Sequence, residues 1–539
     1  MKLTRTSIKE REPWEAAGVT LPSFDIDAMI TCTIESPCWV HFGPGNIFRG
    51  FIAGLQQTLL NKGMASCGII AAAGGETIDK IYKPHDNLSL LVTLKGDGTS
   101  VREVIASIAE GLKTDFSSSD IEKLKEIFRN PSLQMVSFTI TEKGYALRDM
   151  HGDFLDVAEN DMLEGPGAPI HMMGIVTALM LERWQSGAAA VALVSMDNCS
   201  ENGSKLRSSV LTIAEAWEKN GFTEKGFTLW LADESKVSFP WTMIDNITPR
   251  PSEIIEAQLR EIGIEDISGV ITRKGSYIAP FVNAEVTSYL VVEDAFPNGR
   301  PALEEAGVYF TDRNTVNDTE RMKVMTCLNP LHTALAIFGC LLGYTRISDE
   351  MKDGGLKRLI EVIGYVEGMA VVTDPKIIDP AAFIKEVIEE RFPNPFIPDA
   401  PQRIATDTSL KMPIRFGETI KAYITRDDLD VKSLVGIPLV IAAWLRYLLA
   451  IDDAGKPFEL SGDPLLPQLK QQLEDVVFGD PQSYRGQLTP ILRNTELFAS
   501  DLVACGLSDK IERMFVEMLE GPGAVRAVLN HYIACILVC

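Results

Sequence analysis

Short, continuous runs of apolar residues alternate with amphipathic stretches through the first half of the chain. The amphipathic stretches, of which 47–60 and 170–185 are the clearest, have the periodicity of helices. Strands that are buried on both faces lack polar positions, and such strands separated by helices are typical of a parallel sheet. The pattern therefore predicts an α/β domain with strands at 38–42, 67–73, 88–94, 133–140 and 189–195.

After about residue 315 the helical periodicity dominates. The turn-rich segment 296–317 separates the two patterns and marks the expected domain boundary. We therefore predict two domains, 1–310 and 311–539, of which the second is mostly α-helical. Its predicted helices are 320–342, 349–366, 380–391, 404–415, 434–450, 464–477 and 507–520.

The composition of the 539-residue chain, with 46% hydrophobic and 23% charged residues, is ordinary for a globular protein of two domains. The net charge of −23 argues against a nucleic-acid partner, because a phosphate backbone attracts a basic surface. The same charge means that an anionic substrate must be captured by local cations.

Signals for targeting and metal binding are missing from the sequence. The N-terminus has no apolar signal segment, and the longest strongly apolar run, 434–445, is too short to cross a bilayer. Nine cysteines occur without a C-x-x-C pair or a histidine spacing typical of zinc. We therefore expect reduced thiols, no metal site, no membrane association and a cytoplasmic location.

The segment from Lys323 to His332 places an amine, an amide and an imidazole in apolar surroundings, where an ionisable group is costly unless paired or used. Asn329 and His332 share a helix face, whereas Lys323 lies nine residues before His332, about 180° round an ideal helix. Pro330 removes a backbone N–H and favours a kink or a π-bulge, which would reduce that angle to about 80°. The alternative is a core helix with a satisfied histidine and a lysine that extends to solvent.

A glycine-rich turn, His41-Phe-Gly-Pro-Gly-Asn-Ile-Phe-Arg-Gly50, follows the first predicted strand and opens a helix. Gly43 permits the tight turn, and Gly45 lets backbone N–H groups approach a pyrophosphate at the helix N-terminus. A phenylalanine replaces the usual third glycine, so a simple strand-to-helix turn is the alternative. The position between strand and helix favours dinucleotide binding by Gly43, Gly45, Asn46, Phe48 and Arg49.

The residue that selects the cofactor should lie at the end of the second predicted strand, where the chain continues into Glu76. Glu76 is the first acidic candidate for the adenosine ribose, and Asp79 is the next. Lys80 is the nearest cation to this strand end in the sequence. The expected cofactor is NAD, with NADP as the alternative.

Three further polar positions are candidates for the substrate site. Asn198 follows a buried strand, where α/β sheets place ligand-binding residues, although a helix N-cap is the alternative for the pair Asp197-Asn198. Asp245 belongs to a polar cluster in apolar surroundings. Arg391 stands at a helix end and could hold a substrate hydroxyl or carboxylate, or cap the helix.

These segments resemble the polyol-specific long-chain dehydrogenases, the family of mannitol dehydrogenase and fructuronate reductase. The resemblance implies a zinc-independent enzyme with a Rossmann-type NAD(P)-binding N-terminal domain and a mostly α-helical C-terminal substrate and catalytic domain. It rests on an ordered set of motifs, namely Gly43 to Arg49, Asp197-Asn198 with Asn202-Gly203, Phe239 to Pro249, Val291 to Pro301, Lys323 with Asn329 and His332, and Arg391 to Pro395.

The resemblance also implies roles for individual residues. Lys323 would be the general acid/base, and Asn329 and His332 would donate hydrogen bonds to the reacting oxygen. A lysine can serve as a base near neutral pH when burial or a nearby positive charge lowers its pKa. The other carried-over positions are Glu320 as a proton relay and Asn198, Asp245 and Arg391 as substrate-binding residues.

The spacing from lysine to asparagine departs from the family pattern, because it is one residue longer here. A gapless alignment anchored on Asn329 would put Val324 at the lysine position and leave no base. A bulge near Pro330 would absorb the extra residue, and the preserved spacing between Glu320 and Lys323 favours an insertion after the lysine.

We expect an NAD(P)-dependent oxidoreductase that interconverts a ketouronate and an aldonate, with D-fructuronate and D-mannonate as the first pair to test. The cations Arg391, Lys411 and Arg415 exceed the needs of a neutral polyol, although they could pair internally. The alternatives are a mannitol 2-dehydrogenase acting on D-mannitol and D-fructose, an NAD-using sugar-acid epimerase, and a non-enzymatic dinucleotide-binding regulator. The expected partner is a small sugar acid or polyol, and the expected assembly is a monomer or homodimer.

Overall fold

The computed structural model describes residues 1–273, 275, 277–534 and 536. It divides into two compact units, the first formed by Met1–Lys95 with Thr99–Asn317. The second consists of Gly96–Gly98 and the chain from Asp318 onwards. The predicted boundary at 310/311 falls a few residues before this division.

The first unit is built round a six-stranded sheet in the order β3-β2-β1-β4-β5-β6, in which all neighbours are parallel. The strand order reverses beside β1, as in the doubly wound folds that bind dinucleotides at the carboxyl edge of the sheet. The predicted α/β fold is confirmed. In chain order the strands are β1 (Trp39–Phe42), β2 (Ile69–Ala73), β3 (Ile108–Lys113), β4 (Met135–Phe138), β5 (Val191–Ser195) and β6 (Val237–Ser238).

Both faces of the central strands are buried. Val40 and Phe42 of β1 pack into one apolar core, whereas Trp39 packs into a second core on the opposite face. In β2, Ile70 packs into the same core as Val40, and Ile69 packs into the same core as Trp39. Because neither face meets water, these strands appear in the sequence as unbroken apolar runs.

The expectation that 88–94 joins the parallel sheet is wrong. Ser89–Leu94 pairs antiparallel with Ser100–Ile105 in a separate four-stranded sheet. The parallel sheet instead takes β3 as its edge strand, and the sequence of β3 is interrupted by polar residues. One of them, Glu110, forms an ion pair of 2.6 Å with Lys123, as an edge position allows. The apolar run therefore predicted a buried strand correctly, but it did not predict the sheet to which the strand belongs.

The remaining strands of the first unit form small sheets. The four-stranded sheet also contains Val19–Thr20 and Phe281–Glu285, a three-stranded sheet is formed by Thr242–Asp245, Tyr289–Glu293 and Tyr309–Thr311, and Val270–Ile271 pairs with Tyr277–Ile278. The helices are Arg5–Lys9, Arg11–Ala16, Ile26–Glu35, Ala53–Asn61, Gly75–Thr77, Asp120–Arg129, Glu142–Tyr145, Asp156–Glu164, Met172–Gln185, Asn202–Lys219, Lys225–Ala232 and Glu253–Glu261, with π-helical turns at Phe48–Ile52 and Ile78–Tyr82 and 3₁₀ turns at Lys83–His85 and Leu303–Ala306.

The second unit is helical, as predicted. Its helices are Asn329–Leu342, Ile347–Glu350, Gly354–Glu361, Pro380–Glu386, Pro401–Ile404, Thr408–Met412, Glu418–Thr425, Gly436–Tyr447, Leu466–Gln472, Thr489–Leu492, Thr495–Phe498, Ser508–Glu517 and Ala524–Ile533. Arg313–Arg321 precedes them, π-helical turns occur at Met322–Cys327, Val362–Gly368, Val387–Arg391 and Pro413–Gly417, and 3₁₀ turns at Met369–Val371, Val431–Ser433 and Pro481–Ser483.

Two apolar helices, Asn329–Leu342 and Gly436–Tyr447, are buried along most of their lengths. The stretch Arg313–Leu342 is long and apolar enough to cross a membrane by composition alone, but 78% of its most apolar window is buried. An apolar helix that is buried in this way serves as the core of a folded domain.

Two predicted helices are each interrupted by an aspartate. In 349–366, the Asp353 carboxylate accepts the Gly355 N–H at 2.9 Å and so starts a new helix. In 404–415, Asp407 adopts a left-handed conformation with φ of 53° and separates Pro401–Ile404 from the next helix. Because aspartate competes for backbone N–H groups, it favours such breaks even where the apolar period continues.

Candidate active site

Gly43 ends β1 with a backbone conformation that only glycine adopts readily. Its φ is +77°, and a Cβ at this position would lie 2.3 Å from the Thr139 carbonyl oxygen. At Gly45, by contrast, the nearest heavy atom to an added Cβ is the Gly43 carbonyl oxygen at 3.8 Å. The turn is therefore packed tightly on the protein side and open above Gly45, where a ligand can approach the helix N-terminus.

A buried chain of hydrogen bonds holds this turn in place. Trp39 Nε1 donates to Ser137 Oγ at 2.7 Å, and Ser137 Oγ contacts His41 Nδ1 at 2.7 Å. His41 Nε2 lies 2.9 Å from Thr139 Oγ1, which donates to the Gly43 carbonyl at 2.8 Å. Because the Thr139 proton is used on Gly43, His41 must donate from Nε2 and accept at Nδ1. Burial lowers the pKa of His41 to about 3, so the imidazole is neutral.

A cavity of about 470 Å³ opens beside the glycine turn. It contains residues from the ends of β1 and β2, which places it at the carboxyl edge of the sheet. This is the edge at which doubly wound sheets bind nucleotides. Its lining comprises Gly43, Pro44, Gly45, Arg49, Ala73, Gly74, Gly75, Glu76, Thr77, Ile81, Met172, Thr272 and Ile278.

The five predicted cofactor residues have different environments. Gly43, Gly45 and Arg49 line the cavity. Arg49 is buried and donates to the Ala279 carbonyl at 2.6 Å and to Asn46 Oδ1 at 3.1 Å. Phe48 is buried and stacks on His41 with ring centroids 4.0 Å apart. Asn46 and Phe48 therefore support the turn and Arg49 from behind the cavity.

Glu76 lies at the end of β2 and lines the same cavity. Its Oε1 pairs with Lys80 at 2.7 Å, and its Oε2 accepts the Arg273 N–H at 2.9 Å. The hydrogen bond from Lys80, together with that from Arg273, lowers the pKa of the carboxyl. A carboxylate in this position can accept hydrogen bonds from the hydroxyls of a ribose.

The polar positions after β5 are tied to the neighbouring three-stranded sheet. Asn202 Nδ2 donates to the carbonyls of Asp197 at 3.0 Å and Thr242 at 2.9 Å. The predicted substrate residue Asn198 is exposed just after β5, and Asp245 is buried at the end of the strand that begins with Thr242. The structure therefore fixes the segments that carry both residues.

The N-cap alternative for Asp197 is wrong. Its carboxylate accepts the N–H groups of Ile140 and Thr141, each at 2.9 Å, and the Tyr145 hydroxyl at 2.5 Å. These donors follow β4, so Asp197 joins the carboxyl ends of β4 and β5.

In the second unit, the chain around Lys323 departs from a regular α-helix. Lys323 is buried in the π-helical turn Met322–Cys327, and the Leu328 N–H donates to the Lys323 carbonyl, five residues earlier, at 3.1 Å. Pro330 occupies the first turn of the helix that follows. The predicted bulge near this proline is confirmed.

The other three predicted members of this cluster are Glu320, Asn329 and His332. Glu320 is partly buried near the end of Arg313–Arg321, two residues before the π-helical turn begins at Met322. Asn329 and His332 are partly buried in the first turn of Asn329–Leu342, three residues apart on one face.

His332 lies beside Asp399, a residue that no motif in the sequence identified. His332 Nε2 is 3.3 Å from Asp399 Oδ2, but it lacks the alignment of a hydrogen bond and has no such partner among the described residues. Burial lowers the pKa of His332, Asp399 opposes this, and Arg415 and Arg391 add to the lowering. The lowered pKa favours the neutral imidazole, which carries one ring N–H.

Arg415 is a second guanidinium of this cluster, and its side chain is held by a hydrogen bond. It donates to the Thr333 hydroxyl, and Thr333 Oγ1 in turn donates to the Asn329 carbonyl at 2.9 Å. Burial lowers the pKa of Arg415 to about 10, so the group is still charged at neutral pH. A partly buried cation next to His332 is suited to an anionic substrate.

Lys411 has a different role from that of the two arginines. Its ammonium donates to the carbonyls of Ile404, at 3.0 Å, and Thr406. Burial lowers the pKa of Lys411 to about 8, and the charge of Arg415 adds to this effect. Of the three predicted cations, Lys411 therefore binds the backbone, while Arg391 and Arg415 act on His332.

Two family models match the chain. The model described as the mannitol dehydrogenase Rossmann domain matches residues 38–305, and the mannitol dehydrogenase C-terminal domain matches residues 315–515. Together they cover both units, including the glycine turn and the Lys323 segment.

Similar proteins extend over nearly the full length. The chain is 54% identical to a D-mannonate oxidoreductase of Thermotoga maritima over 99% of both chains. It is 28% identical to a polyol:NADP oxidoreductase of Gluconobacter oxydans over 87% of this chain and 90% of that protein. The structure of Pseudomonas fluorescens mannitol 2-dehydrogenase in a ternary complex with NAD and D-mannitol aligns with a TM-score of 0.72 at 26% identity, covering 99% of this chain and 100% of that one.

Proposed function

The chain belongs to the mannitol dehydrogenase family, and from this premise we propose that it interconverts D-fructuronate and D-mannonate with NAD(H). The observation that carries the proposal is the 54% identity to a D-mannonate oxidoreductase over 99% of both chains. The guanidinium groups near His332, of Arg391 (buried) and Arg415 (partly buried), support an acidic substrate, because a carboxylate needs a local cation in a chain of net charge −23. The reaction takes place in the cytoplasm, in a monomer or homodimer.

The first unit offers a fitting site for the dinucleotide. Gly43 and Gly45 would let the pyrophosphate approach the helix N-terminus, and Glu76 would accept hydrogen bonds from the adenosine ribose. The carboxylate of Glu76 would also repel a 2′-phosphate, which favours NAD over NADP. When bound, the nicotinamide supplies the acceptor or donor of a hydride.

In the direction of alcohol oxidation, Lys323 takes the proton of the secondary hydroxyl as hydride leaves the same carbon. Asn329 and the N–H of His332 donate to the oxygen while its charge changes. In the reverse direction Lys323 returns the proton to the carbonyl oxygen. Glu320, three residues before Lys323 and partly buried, passes the proton between the lysine and solvent.

The acidic end of the substrate meets Arg391 and Arg415 in the second unit. Asn198 and Asp245 are proposed as substrate-binding residues only because the family resemblance implies that role. Arg415 presents a fixed, charged guanidinium because its Thr333 contact orients it. A guanidinium can hold a carboxylate through two parallel hydrogen bonds, which a neutral hexitol cannot reproduce. This difference gives selectivity for the uronate.

Oxidation of NADH in the presence of D-fructuronate, D-tagaturonate or D-fructose tests the proposal. We expect kcat/KM with D-fructuronate to exceed that with D-fructose by about 100-fold or more, which corresponds to the loss of a charge-assisted pair. Each substrate is also assayed with NADPH, for which we expect lower turnover. Activity with D-fructose and none with either uronate would contradict the proposal.

The role of Lys323 has its own test. Lys323→Ala should lower kcat by about 10²–10⁴-fold, the usual contribution of a general acid or base. Lys421→Ala, which removes an exposed lysine from the second unit, is the matched control and should leave kcat unchanged. Unchanged turnover in Lys323→Ala would contradict the mechanism while leaving the substrate assignment open to the first test.

The second candidate function is that of a mannitol 2-dehydrogenase. The alignment with the mannitol 2-dehydrogenase structure over the full chain favours it, but at 26% identity. The same assay separates the two, because a mannitol-type enzyme turns over D-fructose without an acidic group. An epimerase would instead convert the sugar acid with no net change in NADH.

A further inference from the structure

Three cysteines outside the proposed reaction come together at the amino-terminal edge of the parallel sheet. Cys32 lies in the helix that precedes β1, Cys38 directly precedes β1, and Cys67 comes just before β2. Val40 of β1 is paired with Ile70 of β2, so Cys38 and Cys67 stand at the starts of adjacent strands. Adjacent strands are about 5 Å apart, which is within the Cα separation that a disulfide spans.

Hydrogen bonds of the neighbouring backbone keep the three cysteines close. Cys67 Sγ donates to the Ser36 carbonyl at 3.5 Å, and the Gly68 N–H donates to Thr33 Oγ1 at 2.7 Å. Ser36 and Thr33 are sequence neighbours of the other two cysteines. The segments that carry the three thiols are therefore fixed against one another by the fold.

The three thiols influence one another electrostatically, with Cys67 as the shared partner of Cys38 and Cys32. The interaction with Cys67 lowers the pKa of Cys38 against the effect of burial, and the same interaction raises the pKa of Cys67. All three are free and partly exposed. Cys38 therefore has the most thiolate character and is the best nucleophile of the group.

Metal binding does not account for this cluster. Among the described residues, no group of three histidine, cysteine or acidic side chains has an arrangement that could hold a metal ion. One of these adjacent thiols is partly ionised, and another can attack it once it has been oxidised. Thiol pairs that respond to oxidants have this arrangement.

We propose that Cys38 and Cys67 form a reversible disulfide when the protein meets a hydroperoxide. The Cys38 thiolate attacks the terminal oxygen of the hydroperoxide, so that an S–O bond forms and the O–O bond breaks. The other oxygen leaves with its substituent and takes up a proton, as an alcohol or, from hydrogen peroxide, as water. The Cys67 sulfur then attacks the Cys38 sulfenic acid, forming the S–S bond and releasing water. Two thiols are oxidised by two electrons, and one hydroperoxide is reduced to an alcohol and water, or to two waters.

The position of the bond determines its effect. The cysteines precede β1 and β2, whereas the glycine turn and Glu76 follow the same strands at the opposite edge. The cross-link closes the loop from Cys38 to Cys67 and stabilises the folded state by restricting the unfolded chain. We therefore expect oxidation to raise the melting temperature while leaving cofactor binding unchanged.

Treatment of the full-length protein with a modest excess of hydrogen peroxide tests the proposal. Free thiols should fall from nine to seven, peptide mass spectrometry should show Cys38 linked to Cys67, and dithiothreitol should reverse both changes. The melting temperature should rise by several degrees in the oxidised form and return on reduction. A cross-link between another pair, or persistence of all nine thiols, would overturn the proposal.

Two variants identify the reacting pair. In Cys67→Ser, Cys38 should lose its partner and accumulate as a sulfinic acid or as an adduct with added glutathione. Cys505→Ser removes a partly exposed free cysteine of the second unit and should leave the cross-link intact. Retention of an unmodified Cys38 in Cys67→Ser would show that Cys38 is not the nucleophile and would contradict the sequence of steps.

Discussion

His332 Nε2 and Asp399 Oδ2 lie 3.3 Å apart without the alignment of a hydrogen bond. The carboxylate, through its hydrogen-bonding contribution and its charge, raises the pKa of His332 and so opposes the lowering by burial. Burial raises the pKa of Asp399, but His332 and Arg403 together hold it below its usual value. The charge is thus present at neutral pH, and it opposes the effect that burial has on His332.

Replacing Asp399 by asparagine should move the pH profile. Burial already lowers the pKa of His332, and the loss of the carboxylate removes the largest contribution that raises it. If the neutral imidazole is the active form, the acid limb of kcat/KM shifts to lower pH in Asp399→Asn. Arg403→Ala, on the far side of Asp399, should shift the limb less. An unchanged acid limb in Asp399→Asn would show that Asp399 does not set the protonation of His332.

Gly43→Ala should weaken cofactor binding. The added Cβ would meet the Thr139 carbonyl oxygen at 2.3 Å, and the positive φ disfavours any side chain, so the turn must change shape. We expect NADH to bind at least about tenfold more weakly and the free energy of unfolding to fall by roughly 1–3 kcal/mol. Fluorescence titration and urea unfolding measure the two effects.

Gly54→Ala is the matched control for that change. Gly54 lies in the helix Ala53–Asn61, and apart from its chain neighbours and the helix's own backbone no heavy atom of the described residues stands within 4 Å of an added Cβ. Alanine should therefore stabilise the protein by about 0.5–1 kcal/mol and leave NADH affinity unchanged. Equal losses of affinity in both variants would contradict a specific role for the glycine turn.

Pro330→Ala should impair catalysis more than stability. The alanine restores a backbone N–H, which permits a regular helix through the segment and rotates Lys323 relative to Asn329. We expect kcat to fall by about tenfold or more, while the free energy of unfolding changes by less than about 1 kcal/mol. Amide hydrogen exchange across 322–330 would report the loss of the π-helical turn. Full activity with a regularised helix would contradict the need for the bulge.

Arg415→Met should reduce selectivity for acidic substrates. The variant keeps an apolar side chain of similar length but removes the charge that faces His332, so KM for D-fructuronate should rise at least about tenfold. KM for D-fructose should change much less. Lys411→Met is the matched control, because Lys411 binds the backbone carbonyls of Ile404 and Thr406. That variant should lower stability without changing the ratio of the two KM values.

Glu350 should make stability depend on pH. Both of its carboxylate oxygens are buried without a hydrogen bond among the described residues, and burial raises its pKa to about 9. The folded state keeps a proton that the unfolded chain releases above about pH 4.5, so stability falls as the pH rises from there to about 9. The loss at pH 7 is roughly 3 kcal/mol.

Glu350→Gln removes this titration while keeping the shape of the side chain. Its free energy of unfolding, measured by urea titration between pH 5 and 9, should lack the decline seen in the parent protein. Glu389→Gln, at an exposed position of the same unit, should retain the decline. Parallel pH profiles for the parent and Glu350→Gln would show that the buried carboxyl does not titrate as described.

The sequence predicts those parts of the fold in which a local pattern of residues follows directly from the local structure. Val40 and Ile70 lie in apolar runs because both faces of their strands are covered, and Gly43 occurs where no side chain fits. Pro330 predicted a helix irregularity because a missing N–H acts locally. These features could be derived without knowing the distant contacts.

The remaining features depend on contacts between distant segments. Asp399 approaches His332 across 67 positions of the chain, and Thr272 joins a cavity whose glycine turn begins at Gly43. The strand Ser89–Leu94 is a further example. Its composition is that of a buried strand, but the sheet to which it belongs depends on the strand with which it pairs. No local pattern encodes such pairings, because they depend on the topology of the whole unit.

A chain of hydrogen bonds runs from Trp39 through His41 to Gly43. Because these bonds form when the protein folds, the glycine turn has its shape before any ligand binds. The backbone entropy of the turn is therefore already lost in the free protein, and the dinucleotide does not have to supply it. In calorimetric terms, the change in heat capacity on binding should report only the surface that ligand and cavity remove from water, with no contribution from a segment that folds on contact.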